Sequence, residues 1–366
     1  MDASQIARRF PLVPRPRPVC LPLVERVREI HDLARAAERN GDLGTSAAAL
    51  NRAALIASDC GLPNLARDLC WRHADIYLRA RPLGAQAARY ALEPLVNLAR
   101  LNIRNGDGEG AYRLLDTLNQ AVRQQSDAVI DGRAVSFRGL ITTSEDRRTV
   151  CQWLWTVLLG DGTRALVAAN QWVRAREHVL QHKGIGRRLL DGRQVAIVSL
   201  CLGGDPATAR RTLEESTLDE SWEQPVAACL ALLCRTTAQE PSAKAAPKAA
   251  AEYLRLEADP ELIVFRTRIG LTVLDLCSGT ARAEIARRLV HDAVNSGDGY
   301  VAREALAHTI CSEQMSGRDH RLLSEAVSSA GLGRGSMPSE PKRKLLEAAA
   351  TASAVAERVV RVVHEG

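Results

Sequence analysis

Several groups of side chains in this sequence have types and spacings that suit chemistry. His178 and His182 lie four residues apart in a helical stretch, so both imidazoles can face one way, as a zinc pair does. A zinc site needs a third or fourth ligand, and no Cys, His or Asp cluster stands near them at a ligand spacing. Glu177 adjoins His178, but HExxH is not formed. Surface histidines are the simpler reading. Cys70, His73 and Asp75 are close in sequence, as a nucleophile, a base and an orienting acid would be. On a helix, however, Cys70 and His73 share a side whose backbone N–H groups are already bonded, which leaves no oxyanion donors. GxSxG, the kinase motif set and the full Ser-Lys signature set of β-lactamases are not found. The sequence therefore predicts no catalytic set, no metal and no cofactor.

Binding is better represented. Lys183-Gly184-Ile185-Gly186-Arg187-Arg188 puts flexible backbone beside three cations at an expected helix start. Helix N-termini attract anions, and arginine holds phosphate with two parallel bonds. The simpler reading of the same residues is a glycine turn with a charged first turn. On the helix that follows, Arg187, Asp191 and Gln194 share one face, and Arg187 and Asp191 can pair at i,i+4. That face is either salt-bridged and solvated or available to orient a ligand. Upstream, Ser144-Glu145-Asp146-Arg147-Arg148 reads as a capped helix start with acids in its first turn. Trp153, Trp155 and Trp172, three of the chain's five tryptophans, follow it. They can form a recognition surface, since Trp and Arg dominate interface hot spots, or fill the core of one repeat. The candidate partner- or ligand-binding residues are Arg147, Arg148, Trp153, Trp155, Arg187, Arg188, Asp191 and Gln194.

The elements that must position these residues are helices. Residues 1–22 carry Pro11, Pro14, Pro16, Pro18 and Pro22 and read as an extended arm. From Leu23 the apolar residues recur at three- and four-residue steps until Asn40-Gly41, a helix stop. The stop repeats. Asn40-Gly41-Asp42 is echoed by Asn105-Gly106-Asp107, Gly203-Gly204-Asp205 and Ser296-Gly297-Asp298, with a degenerate copy at Ala169-Asn170-Gln171. Five residues after each key position stands Ser46, Ala111, Ala175, Ala209 or Ala302, and nine after it Leu50, Leu115, Val179, Leu213 or Leu306. The separations approach multiples of 31 to 34 residues.

With this pattern the chain resembles the tetratricopeptide repeat family, in which a tight turn joins two helices and a small residue on the second permits close packing. The family's aromatic positions are mostly Leu or Ala here, and its unit-terminal Pro is missing. The resemblance implies an all-α fold, an α-solenoid of antiparallel helical hairpins, and protein–protein interaction. The expected organisation is an arm over 1–22, a repeat array over 23–237, a linker over 238–250 around Glu240–Pro247, further repeats over 251–334 and a capping helix over 339–366 that covers the array's last apolar face. Val129–Phe137 alternates around Asp131-Gly132 and is either a short β-hairpin or an irregular loop.

Composition sets the outer limits. The chain is 46% hydrophobic but only 4% aromatic, which argues against a β-sandwich or barrel. Its 44 arginines face five lysines, and its net charge of +6 is spread over 366 residues. That surplus is no nucleic-acid footprint unless it clusters on one face, and no helix-turn-helix module is evident. Nine cysteines form no CxxC pair and read as reduced thiols, as expected in a cytoplasm. No signal peptide or membrane span is expected. The function expected is that of a non-catalytic adaptor or regulator, bacterial and cytoplasmic, holding a protein or peptide in its concave groove. The alternative is an enzyme or sensor binding an anionic ligand through residues 144–200.

Overall fold

A computed structural model describes residues 1–241, 244–257, 259–277, 279 and 281–365, with side chains through 361. In chain order the helices are α1 (Ala3–Arg9), α2 (Leu23–Asn40), α3 (Leu43–Asp59), α4 (Pro63–Arg79), α5 (Ala85–Arg104) and α6 (Gly108–Gln124). Strands β1 (Asp127–Ile130) and β2 (Arg133–Ser136) follow, then α7 (Ser144–Val157) and α8 (Thr163–Ala168). Next come α9 (Trp172–Gln181), α10 (Asp191–Leu202), α11 (Pro206–Glu214), α12 (Glu223–Thr237), α13 (Ala245–Arg255) and α14 (Ile263–Leu276). The chain ends with α15 (Ala281–Ser296), α16 (Gly299–Ala307), α17 (Thr309–Glu313), α18 (Gly317–Ser329) and α19 (Ser339–Glu365). The fold is mostly helical, and the only strands among the described residues are β1 and β2.

The repeated stop is a two-part hinge. Gly41, Gly106, Gly204 and Gly297 all have φ between 60° and 83°, and Asn170 has φ 58°, so each ends its helix in the left-handed region. The aspartate that follows then caps the next helix: Asp42, Asp107, Asp205 and Asp298 each accept hydrogen bonds from first-turn N–H groups. Gln171, in the degenerate copy, makes no side-chain cap. Ser46, Ala111, Ala175, Ala209 and Ala302 are all completely buried, as close helix packing needs. Asp131 (φ 50°) and Gly132 (φ 79°) form the turn of an antiparallel β1–β2 hairpin, the mirror-image turn that a two-residue hairpin favours.

The chain divides into two compact units, and their boundaries differ from the expected ones. The first unit is Met1–Leu21 with Leu166–Ser329, and the second is Pro22–Ala165 with Ala330–Gly366. In the second unit each helix from α2 to α6 packs on the next. Helix α19 lies on α2, α3 and α4, so it covers the start of this row and not the end of an array. Its stripe of Leu345, Ala348, Ala352, Ala356 and Val360 enters the same core as Val27, Ile30, Leu50 and Ala53. In the first unit α10 to α16 pack each on the next, and α10, α12, α14 and α16 also pack on one another in succession.

Two further expectations change. The region 238–250 is no boundary, because α12 and α13, which flank it, pack together in one unit. Pro247 sits in the first turn of α13, where a missing N–H costs no helix bond. Ser242 and Ala243, which fall within that expected linker, lie outside the described residues. The N-terminal arm is also not extended throughout. Asp2 and Gln5 form a capping box that starts α1 before the first proline.

The second unit also buries His73 with neither ring nitrogen hydrogen-bonded. Burial pushes its pKa down to about 3. The unfolded chain therefore binds a proton that the folded chain does not as pH falls from about 6.5 towards 3. Stability is expected to decline across that window, and His73→Leu to flatten the decline. Melting curves at pH 7, 5.5 and 4 test this, and an unchanged slope in the variant would contradict it.

Candidate functional site

Pro11, Pro14, Pro16, Pro18 and Pro22 keep the segment after α1 free of helix. An extended chain of this kind cannot satisfy its own N–H and C=O groups, so other elements or water must do so. Phe10, Leu12 and Cys20 are nevertheless buried in the first unit.

Two grips hold the main chain of the arm. Gln194 of α10 is fully buried. Its Oε1 accepts from the Leu12 N–H at 2.7 Å, and its Nε2 donates to the Leu12 carbonyl at 2.7 Å and to the Leu189 carbonyl at 2.7 Å. A side-chain amide thus pairs with a backbone residue as a neighbouring strand would. Eight residues on, the Cys20 N–H donates to Asp298 Oδ2 at 2.9 Å, and the Gly299 N–H donates to the Cys20 carbonyl at 2.9 Å. The other oxygen of Asp298 accepts from Tyr300 N–H at 2.7 Å and Val301 N–H at 3.1 Å. The fourth copy of the repeated hinge therefore caps α16 and holds the arm with one carboxylate.

Charge lies between and before the grips. Arg15 donates to both oxygens of Asp191, at 2.9 and 2.8 Å. The Arg17 guanidinium lies 4.1 Å from the centre of the Tyr300 ring. Arg9 pairs with Asp275 at 2.7 Å, and Arg268 donates to the Arg8 carbonyl at 3.1 Å. Burial works against ionising Asp275, but its hydrogen bond from His308 and the charge of Arg9 outweigh it and hold the carboxyl below the usual range. The Arg15 side chain is 38% exposed, so its pair contributes no more than about 1 kcal/mol. A buried Gln194 without Leu12 would cost about 1–3 kcal/mol for its orphaned polar atoms. The backbone grips and apolar burial hold the arm, and the ion pairs set its register.

Of the residues singled out from sequence, Asp191 and Gln194 meet, on the protein's own arm. Asp191 pairs with Arg15 and not with Arg187, because α10 begins at Asp191 and leaves Arg187 outside the helix. Arg187 makes a 3.5 Å contact with the Glu215 carbonyl. Arg188 reaches Glu220 at 2.6 Å and Glu223 at 3.2 Å. The Glu223 side chain is wholly buried and also accepts from the N–H groups of Leu189, Asp219 and Glu220 at 2.9–3.1 Å. Of the cations in the Lys183–Arg188 loop, Arg188 is thus engaged by internal carboxylates. Arg147, Arg148, Trp153 and Trp155 belong to the other unit. Trp153 is half-buried on that unit's core with Arg89 5.2 Å from its ring, Trp155 is 39% exposed, and Arg148 is exposed. Trp172 is buried in the first unit, so the three tryptophans form no single surface within a unit.

Sequence reasoning missed Leu12, Arg15, Asp275 and Asp298. The available signal was the arm's pattern of buried-type residues and arginines between prolines, which says that the arm is held but not by what. His178 is buried, its ring 4.6 Å from that of His182, and among the described residues no three His, Cys, Asp or Glu side chains are grouped to hold a metal. Cys70 is buried and burial pushes its thiol up to about 12, while Asp75 is engaged by Arg133 at 3.1 Å. No helix among the described residues is long and apolar enough to cross a membrane. Comparison with models of protein families, with curated proteins and with solved structures finds no match to this chain.

Burial opposes ionisation of Glu223, but the backbone N–H groups and Arg188 prevail and hold its carboxyl below the ordinary 4.5. Its contribution to stability is complete above that value and is lost as pH falls below it. Glu223→Gln is expected to lower the melting temperature at pH 7 by about 5 °C. The gap should narrow in acid, where Glu223 itself takes up a proton. A gap that is constant down to pH 3 would mean that charge is not what the site uses.

Proposed function

We propose that this protein is a non-catalytic, protein- or peptide-binding helical-repeat protein, an adaptor or regulator that reads an extended main chain in the groove of its first unit. The helices behind the groove are taken as tetratricopeptide-like hairpins stacked as a solenoid, and the Gly-Asp hinges support that reading. One observation carries the function. Gln194, fully buried, spends its amide on both backbone groups of Leu12 and on the Leu189 carbonyl. Such a grip recognises an extended peptide whatever its side chains, and selectivity is left to the neighbours. Asp191 and Asp275 supply carboxylates for basic residues, and Tyr300 supplies an aromatic face for a guanidinium.

The geometry favours this over an anionic small ligand, because the carboxylate that meets Arg188 is already Glu223. Peptide recognition by side-chain amides and carboxylates also suits a helical array, which has no sheet edge to offer for strand addition. Presenting a random peptide library to the full-length protein is expected to enrich segments with an arginine about three residues after an apolar position. Enrichment of arginine should disappear with Asp191→Asn. If the enriched sequences carry no such arginine, or carry it equally with the variant, binding lies elsewhere.

A further inference from the structure

The groove already holds a peptide, and it is the protein's own. Residues 6–20 run along α10, α14 and α16 with Ile6, Phe10, Leu12 and Cys20 buried, both backbone groups of Leu12 and of Cys20 held, and Arg9 and Arg15 on carboxylates. The grips contain no strand pairing with another segment and consist of side-chain contacts plus one backbone bond at Gly299. We infer that this arm is an internal competitor. The groove's partner is an extended, proline-punctuated segment of another protein, with apolar residues at the positions of Phe10 and Leu12 and arginines three and five residues after the latter. The arm blocks that partner until it is displaced. This rests on the peptide-binding reading above and adds to it the partner's chemistry and its regulation.

Three features argue for displacement rather than permanent burial. First, the ion pair that sets register is partly solvated, with Arg15 38% exposed, so it can exchange with another arginine at little cost. Second, prolines stiffen the arm, so a partner of similar composition loses little conformational freedom on binding. The eight residues from Leu12 to Cys20 span about 25 Å of extended chain, so a competitor must itself be extended. Third, the arm and the groove belong to one chain and one unit, and an intramolecular segment on a short tether has an effective concentration of about 1 mM. A free segment with the same contacts and a Kd of about 10 μM would then appear about a hundredfold weaker against the occupied groove. That ratio leaves the groove closed to weak ligands and open to a stronger or multivalent partner.

A fluorescent peptide of residues 6–20 carrying Cys20→Ser tests this by anisotropy against the full-length protein and its Arg15→Ala variant. Binding to the variant should be about three- to fivefold tighter than to the parent, as loss of a pair worth no more than about 1 kcal/mol allows, and Asp191→Asn added to the variant should abolish the preference for arginine at the peptide's tenth residue. Equal affinity for parent and variant overturns the competitor role and leaves the peptide-binding reading standing. No binding to either at millimolar peptide overturns both. Should Arg15→Ala fail to fold, as circular dichroism would reveal, the parent protein suffices. Saturating peptide should then speed hydrogen exchange at the Leu12 and Cys20 amides of the arm, and unchanged exchange with peptide bound overturns the inference.

Discussion

An extended chain with five prolines from Pro11 to Pro22 carries backbone groups that neither a helix nor a sheet can satisfy, and in this protein that constraint shapes the first unit. The segment buries Phe10, Leu12 and Cys20, so water cannot serve all of its main chain. Side chains do so instead. The amide of Gln194 has the donor and acceptor of a peptide group and faces Leu12 as one. The carboxylate of Asp298 and the N–H of Gly299 do the same for Cys20. Neither can be removed cheaply, since each would leave a buried polar group on both sides of the contact.

The second grip is an extension of the device that builds the helices. At each hinge a left-handed residue ends one helix, and at four of them an aspartate starts the next. A carboxylate has two oxygens, and helix capping needs only one. Asp42 spends both oxygens on its own helix, through Gly44 and Thr45. Asp298 caps with one oxygen and has the other left for the arm. A binding element therefore arises from a structural repeat with no added residue type, which is why spacing alone marks Asp298 as a turn and nothing more.

What could be read from the sequence follows the range of the interactions. The hinges, the buried small residues after them, the start of α2 and the Asp131-Gly132 turn depend on contacts a few residues apart, and each is visible as a local pattern. The start of α1 is equally local, in the Asp2–Gln5 capping box, but it stands next to a proline-rich pattern that reads as extended. The arm's grips join residues 176, 182 and 278 positions apart, and nothing local encodes them. Asp191 and Gln194 stand out as polar residues on one helix face, but the residues they meet, Arg15 and Leu12, lie 176 and 182 positions away. Arg187 and Asp191 share the spacing of a helical pair, but α10 begins only at Asp191. Position alone also could not reveal that Glu223, thirty-five residues on, supplies the anion for Arg188.

The arginine surplus has the same explanation. A guanidinium presents five donors in a fixed plane and serves acceptors on different elements with set directions, whereas an ammonium has three donors on a freely rotating head. Arg193, nearly buried, donates to Ser216 Oγ at 2.7 Å, to the Gly186 carbonyl at 2.8 Å and to the Thr212 carbonyl at 2.6 Å, tying α10 to the loop before it and to α11 and its C-terminal end. Arg67 bonds both Asp131 and Asn102, and so fixes the hairpin turn and the end of α5 to α4. Arg188 joins the loop before α10 to Glu220 and Glu223. A chain with few aromatic rings has few large side chains to lock its helices in register, and guanidinium forks supply directional contacts where rings would supply area. Arginines committed in this way are not free to bind phosphate, so their number says little about nucleic acid. Arg15 is the informative one, because its partly exposed side chain does on the arm what the others do inside the fold.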